Sequence, residues 1–152
     1  MERRAFSVAI FARHEGEVLL VHHKRLQLWI PVGGEVEANE TPLEAARREL
    51  KEETGLDGTP PRGNPLGLAG CPDGLLGYEE HMAGSKGLHL NFDFVMDVPS
   101  RGLVSDGSWG EHGWFRDAPA EAPVNVRQLF TVLRAWERAS AKPLLGGLPH
   151  EA

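Results

Sequence analysis

The chain has 152 residues, with 16 basic and 22 acidic side chains and a net charge of −6. One domain of about 100–200 residues is expected at this length, and 41% hydrophobic with 25% charged residues is ordinary globular usage. A disordered chain, a fibre and a multipass membrane protein are excluded. The acidic balance argues against a sequence-independent nucleic-acid binder, whose surface is normally basic. No apolar run approaches the roughly 20 residues of a membrane span. The single Cys71 can form no intramolecular disulfide. That points to a reducing compartment, the cytoplasm, with Cys71 as a small core residue.

The first apolar run, Ala5–Ala12, follows a charged Met1–Arg4 and superficially imitates a secretion signal. Ser7 interrupts it and Arg13-His14-Glu15-Gly16 follows, so it reads as a first strand. Glu17–His23 is a second strand, and the turn chemistry between the two predicts a hairpin. Leu28–Pro31 is a short apolar piece ahead of Gly33-Gly34.

Pro42–Thr54 is predicted as a helix. Thr41 supplies the N-cap, Pro42 the first helical position and Glu44 the capping-box carboxylate. Leu43, Ala46 and Leu50 make the apolar stripe, and Gly55 the left-handed C-cap. Gly58–Asn64 reads as loop and Leu66–Cys71 as a strand. Pro72–Gly87 is glycine-rich, either a mobile loop or an irregular hairpin. Leu88–Val98 alternates, with Leu88, Leu90, Phe92, Phe94, Met96 and Val98 on one face. His89, Asn91, Asp93 and Asp97 lie on the other, which predicts a half-buried strand. Pro99–Ser108 is a loop and His112–Arg116 a short strand. Val126, Leu129, Phe130, Leu133 and Trp136 form the stripe of a closing helix over 124–140. Residues 1–140 form one domain, and 141–152 read as a loose tail. Strands and helices alternate irregularly, which favours a mixed sheet between helices over a regular βαβ repeat.

The chemistry concentrates in Gly34–Leu56. Glu49, Glu52 and Glu53 stand three and four residues apart on one helix, so their carboxylates can share a face. A solvated face balanced by the i,i+4 pairs Glu44–Arg48 and Arg48–Glu52 is the ordinary explanation. The alternative is a hard-cation site, because clustered carboxylate oxygens suit Mg²⁺ or Mn²⁺ rather than Zn²⁺.

Here Gly34, five residues, Glu40, seven residues and then Arg48-Glu49-Leu50-Lys51-Glu52-Glu53-Thr54-Gly55-Leu56 resemble the complete signature of the Nudix (MutT-type) hydrolases. The resemblance covers 23 of the 152 residues directly. It implies an α/β/α sandwich with a mixed β-sheet, and Mg²⁺- or Mn²⁺-dependent cleavage of a nucleoside diphosphate linked to another moiety. It further implies Glu49, Glu52 and Glu53 as metal ligands, with the Gly33 carbonyl beside them. Arg48 would orient the carboxylates through Glu40 or Glu52. Glu49 or a later glutamate would be the general base. Glu111, shortly before Trp114-Phe115, is the favoured later glutamate, ahead of Glu79, Glu80 and Asp93. The expected catalytic set is thus Glu49, Glu53, Arg48 and Glu111, with Gly34 and Glu40 at the substrate. Many relatives carry Leu-Pro-Gly-Gly before the signature, whereas Val32 intervenes here between Pro31 and Gly33.

Substrate signals are weaker. His22-His23-Lys24-Arg25 is the densest basic cluster, and Arg25 suits bidentate phosphate contact; a solvated strand end is the competing reading. Pro72 lies 16 residues after Leu56, an offset similar to the ADP-ribose branch, though 11 prolines favour coincidence. Trp29 and Trp109 either stack on a base or pack in the core. The expected partner is a small nucleotide-type diphosphate, and the resemblance leaves room for a homodimer. Two rivals remain: a Nudix-fold module that senses a nucleotide without cleaving it, and an RNA 5′-end pyrophosphohydrolase.

Overall fold

The computed structural model describes residues 4–141. The segment expected to be a loose tail therefore lies outside the described residues, apart from Ala141. β1 (Arg4–His14) and β2 (Glu17–His23) form the predicted hairpin. Its turn residues Glu15 and Gly16 both have positive φ, 51° and 80°, the backbone that matches the strands' right-handed twist. β3 (Leu28–Ile30) pairs with β2, and β4 (Val32–Glu35) pairs antiparallel with β1. β6 (Leu88–Asp97) runs parallel to β1, with β5 (Leu75–Met82) antiparallel on its outer edge. β7 (Trp109–Phe115) pairs with β2. The sheet is therefore mixed, as expected, in the order β3-β2-β1-β6-β5 with β4 on β1 and β7 on β2.

Two helices cover the sheet. α1 (Pro42–Thr54) follows its local signals: Thr41 Oγ1 accepts from the Glu44 amide at 3.1 Å, and Glu44 Oε1 accepts from the Thr41 amide at 2.8 Å. Gly55 closes the helix at φ 79°. α1 buries Ala45, Ala46 and Leu50 against Val8, Ile10, Leu19, Val21, Phe94 and Met96. α2 (Val124–Ala141) buries Val126, Leu129, Phe130 and Leu133 against Phe11, Val18, Leu20, Leu76 and Val95. Each sheet face thus has its own core, the layering that an α/β/α sandwich requires.

Three expectations need correction. Leu66–Cys71 is not a strand but a run of turns, with Gly67 and Gly70 at φ 66° and 81° and Leu68 largely exposed. Cys71 is only partly buried, at the edge of the α1-side core. Of the two readings of Pro72–Gly87 the hairpin holds: β5 pairs with β6, with a register shift between Leu75 and Gly77 and a 3-10 turn at Gly84–Lys86. Finally, β6 is not half-buried in the predicted sense, because Asn91 and Asp93 on its polar face are 7% and 2% exposed. They share that face with Val95, which packs in the α2-side core, so helix and β5 together shut out water. Among the described residues, no helix is long and apolar enough to cross a membrane.

Candidate active site

A cleft of about 420 Å³ opens beside the sheet. On one side it is bordered by Gly33 and Gly34 of β4, Glu49 and Glu53 of α1, and Asp106 of the loop before β7. On the other stand Ser7, Glu79, Asn91, Asp93 and Asn125. Arg25 and Lys86 bring positive charge to the rim, beside His23, whose imidazole burial and then Arg25 bias toward the neutral form.

The approach of β4 to α1 makes the acidic end. Gly33 pairs with Ala9 across β1 and donates its amide to Glu53 Oε2 at 3.0 Å. A Cβ on Gly34 would fall inside the Glu49 carboxylate, so only glycine lets that side chain lie over the strand. Trp109 is buried, and its Nε1 donates to the Glu53 carbonyl at 3.1 Å, tying the last turn of α1 to β7. This is core packing rather than base stacking. Trp29 likewise packs edge-on against His22 and Phe115, at 5.2 and 5.8 Å between ring centroids.

Charge at this end is unbalanced. Burial, with Glu49 and Asp106 as like-charged neighbours, pushes the Glu53 carboxyl up to about 8. Burial also raises Glu49, against the pull of Arg48. Glu40 behaves oppositely. Arg48 Nε and Nη2 grip its two oxygens at 2.9 and 2.7 Å and hold its carboxyl near 2. The same guanidinium donates to the Glu35 carbonyl and to Glu52 Oε1, and lies 3.5 Å from Glu49 Oε2. Arg48 therefore fastens the loop before α1 to the helix while standing beside the cleft carboxylates.

Of the residues singled out in the sequence, Gly33, Gly34, Glu49, Glu53 and Arg25 border the cleft, as do Glu79 and Asp93, the alternatives to Glu111. Arg48, Glu40 and Glu52 stand behind it as a charged brace. Glu111 does not border it, lying exposed on β7. Asp106 was missed. Its Oδ1 accepts from the Ser108 amide and hydroxyl at 2.9 and 2.6 Å, so Asp106-Gly107-Ser108 reads in sequence only as a turn.

At the other end, Asn91 Nδ2 donates to Asp93 Oδ1 at 2.8 Å, and Ser7 Oγ to Asn91 Oδ1 at 2.8 Å. Burial, then the adjoining Glu79 carboxyl, raises Asp93 to about 9. The folded chain thus holds a proton that the unfolded chain releases above about pH 4, and stability falls as pH climbs from about 4 to 9. Asp93→Asn removes that proton uptake. It is expected to stabilise the fold by on the order of a few kcal/mol at pH 8 and by little at pH 4.5, read from urea denaturation at the two pH values.

Comparison with known proteins follows the same line. A family model described as the NUDIX domain matches residues 1–125. The chain belongs to the NUDIX family. A NUDIX hydrolase from Clostridium perfringens superposes with a TM-score of 0.71 at 24% identity, covering 90% of this chain and 99% of that one. A MutT NUDIX hydrolase from Burkholderia pseudomallei gives 0.67 at 19% identity, over 87% and 99%. At these identities the two NUDIX structures support the fold alone. An RNA pyrophosphohydrolase of Halorhodospira halophila is 54% identical over 48 residues, 31% of this chain. The match spans about a quarter, 26%, of that curated relative.

Proposed function

We propose that this NUDIX chain is a divalent-cation-dependent pyrophosphohydrolase acting on a nucleoside diphosphate linked to another moiety. The observation that carries the reading is Glu53, 8% exposed beneath a cleft and facing Glu49 and Asp106, with the Gly33 amide as donor. Buried like charges are costly unless something neutralises them. Among the described residues no three carboxylate, imidazole or thiolate groups meet at one point. The donor chemistry nonetheless fits a hard cation, since Glu49 and Glu53 both turn oxygens to the cleft beside a glycine strand. Glu52 would join by leaving Arg48, and the Gly33 carbonyl lies beside them in this reading.

When bound, Mg²⁺ or Mn²⁺ would neutralise the diphosphate and acidify water. The chain supplies the rest. Arg48 stands beside Glu49 on the cleft side of α1 and holds Glu52 in reserve behind it. Arg25 contacts a phosphate oxygen from the rim. A cleft carboxylate takes one proton of the attacking water as the new P–O bond forms and the P–O–P bridge breaks. We assign the protein to the cytoplasm on its cysteine usage.

The test is a phosphate-release panel of nucleoside triphosphates, ADP-ribose, dinucleoside polyphosphates, sugar nucleotides and a 5′-triphosphorylated oligonucleotide, with Mg²⁺ and with EDTA. One class is expected to be cleaved and EDTA to abolish the cleavage. The oligonucleotide belongs there because of the 48-residue likeness to an RNA pyrophosphohydrolase; the net charge of −6 weighs against it. Tight nucleotide binding with no product from any class would replace the hydrolase reading with that of a sensing module.

A further inference from the structure

A second hollow, of about 360 Å³, lies against the flank of α2 turned away from the active cleft. Asn125, Val126 and Leu129 border the cleft. Arg127, Thr131, Arg134 and Arg138 border the hollow, over a floor made by the buried Phe130. Their spacings of four, three and four residues set them in one row along the helix. Three of the chain's 12 arginines thus line one flank of one helix. Asp117 is the one carboxylate bordering the hollow among the described residues. Arg134 is engaged. It donates to the Arg116 carbonyl from Nε and Nη2 at 3.0 and 2.6 Å, and to Glu137 Oε1 from Nη1 at 2.7 Å. Arg127 uses only Nε, on the Ala122 carbonyl at 3.1 Å. Arg138 is exposed and has no hydrogen bond or ion pair among the described residues. Two guanidinium groups, one at each end of the row, are therefore open to a ligand.

A guanidinium fork suits phosphate or carboxylate oxygens, and the layout of the row selects among anions. Eleven residues separate Arg127 from Arg138, about 16 Å along the axis. The Ala122 bond draws Arg127 toward the N-terminal end of α2, away from Arg138. One phosphate or diphosphate does not reach both ends, whereas an extended anion does. Cations set one and two turns apart match phosphates separated by sugars better than inorganic polyphosphate, which is charged at every link. An acidic peptide would lack the apolar anchor that carries most protein interfaces. Phe130 is only 4% exposed, and the Arg134 guanidinium sits 5.9 Å from its ring centroid. A second copy paired about a two-fold axis would set arginine against arginine. The net charge of −6 is remote from the hollow. Glu49, Glu52 and Glu53 belong to α1 on the opposite face of the sheet, and the Debye length at physiological salt is about 8 Å. Glu137, the nearby carboxylate of α2, is paired with Arg13 and Arg134.

We propose that this row binds the phosphodiester backbone of single-stranded nucleic acid, without regard to base. Arg127 and Arg138 each take a phosphate, and Arg134 holds the floor between them. The strand lies outside the cleft, so the site is an anchoring surface that needs neither metal nor turnover. It stands independently of the hydrolase reading.

The test is fluorescence anisotropy of a 3′-labelled oligouridine with a 5′-hydroxyl end, in EDTA, so that neither a cation in the cleft nor a terminal phosphate contributes. For the wild type, log affinity is expected to fall against log salt with a slope of about −1.4, roughly 0.7 for each of two phosphates. Arg127→Ala/Arg138→Ala flattens that slope to near zero and weakens binding about tenfold at about 50 mM salt. Arg4→Ala/Arg62→Ala removes two exposed arginines away from the hollow. It changes the net charge equally and leaves slope and affinity as they were. Arg127→Lys/Arg138→Lys keeps the slope, because counterion release counts charges. Thermal melts check each fold. If loss of the Ala122 bond destabilises Arg127→Ala, Arg138→Ala alone carries the test and lowers the slope by about 0.7. No binding by the wild type, equal losses in the hollow and control pairs, or an unchanged slope in Arg127→Ala/Arg138→Ala would each overturn the proposal. So would tighter binding of inorganic polyphosphate or of a glutamate-rich peptide at equal charge.

Discussion

Glu53→Gln is expected to cut turnover about 10²–10⁴-fold, the range associated with a positioned proton-transfer group, while the fold survives. The amide keeps the shape of the side chain, and its oxygen can still accept from the Gly33 amide, now 3.0 Å away. It abolishes an ionisation that burial, and then Glu49 and Asp106, already disfavour at this end of the cleft. In EDTA the variant should therefore melt no lower than the parent. What it loses is the ability to gain from a cation. A parent that binds Mg²⁺ in the folded state alone gains stability with rising Mg²⁺ by mass action, and the variant should show a much smaller rise. Scanning calorimetry in EDTA and in millimolar Mg²⁺, beside initial rates on whichever nucleotide the panel selects, reads both effects. Undiminished turnover in folded protein would remove Glu53 from the chemistry.

The place of Glu53 on the cleft face of α1 is legible in the sequence because its signals are local. The Thr41–Glu44 capping box, Pro42 and Gly55 define α1 within a few residues of chain, and the i,i+3 and i,i+4 spacing then fixes which glutamates share a face. β1, β2 and α2 were legible for similar reasons, through alternation or a 3.6-residue stripe over a long enough window. β5 was not. Gly74 and Gly77 dilute its pattern, four of its last five residues are exposed, and its stability comes from pairing with β6. The burial of Asn91 and Asp93 was hidden for a related reason. Alternation marks a polar face, but whether water reaches it depends on α2 arriving from more than 25 residues downstream. Asp106 reaches the cleft from a loop whose sequence announces only a turn, and Glu111 sits near the expected strand but on its exposed part. The helix carboxylates were thus readable from spacing. The residues that complete the cleft depend on tertiary contacts that no short window contains.

Gly34 of the signature and its neighbour Gly33 separate local from long-range demands in a single experiment. Gly33→Ala is expected to disable the protein through its backbone. A Cβ at Gly33 would collide with the Val8 carbonyl oxygen of β1, and the Ala9 Cα lies only 3.0 Å away. Neither can yield without parting β4 from β1 along the Gly33–Ala9 and Gly34–Val8 register. Overpacking of this kind costs roughly 1–3 kcal/mol, occasionally more. The same displacement withdraws the Gly33 amide from Glu53 and shifts the strand beneath the cleft, and a misplacement of about 1 Å can cost on the order of 10²-fold in rate. Gly34→Ala meets something different: the far end of the Glu49 side chain, which can swing aside. Its melting temperature should stay near that of the parent, while turnover falls because Glu49 has been driven out of place. Thermal denaturation and initial rates measured on both variants therefore predict a crossed pattern, with stability and rate falling together in Gly33→Ala and rate alone in Gly34→Ala. Equal stability losses would mean that Glu49 is held too rigidly to move. An active, stable Gly33→Ala would show that β4 does not need its close approach to β1 to present Glu53.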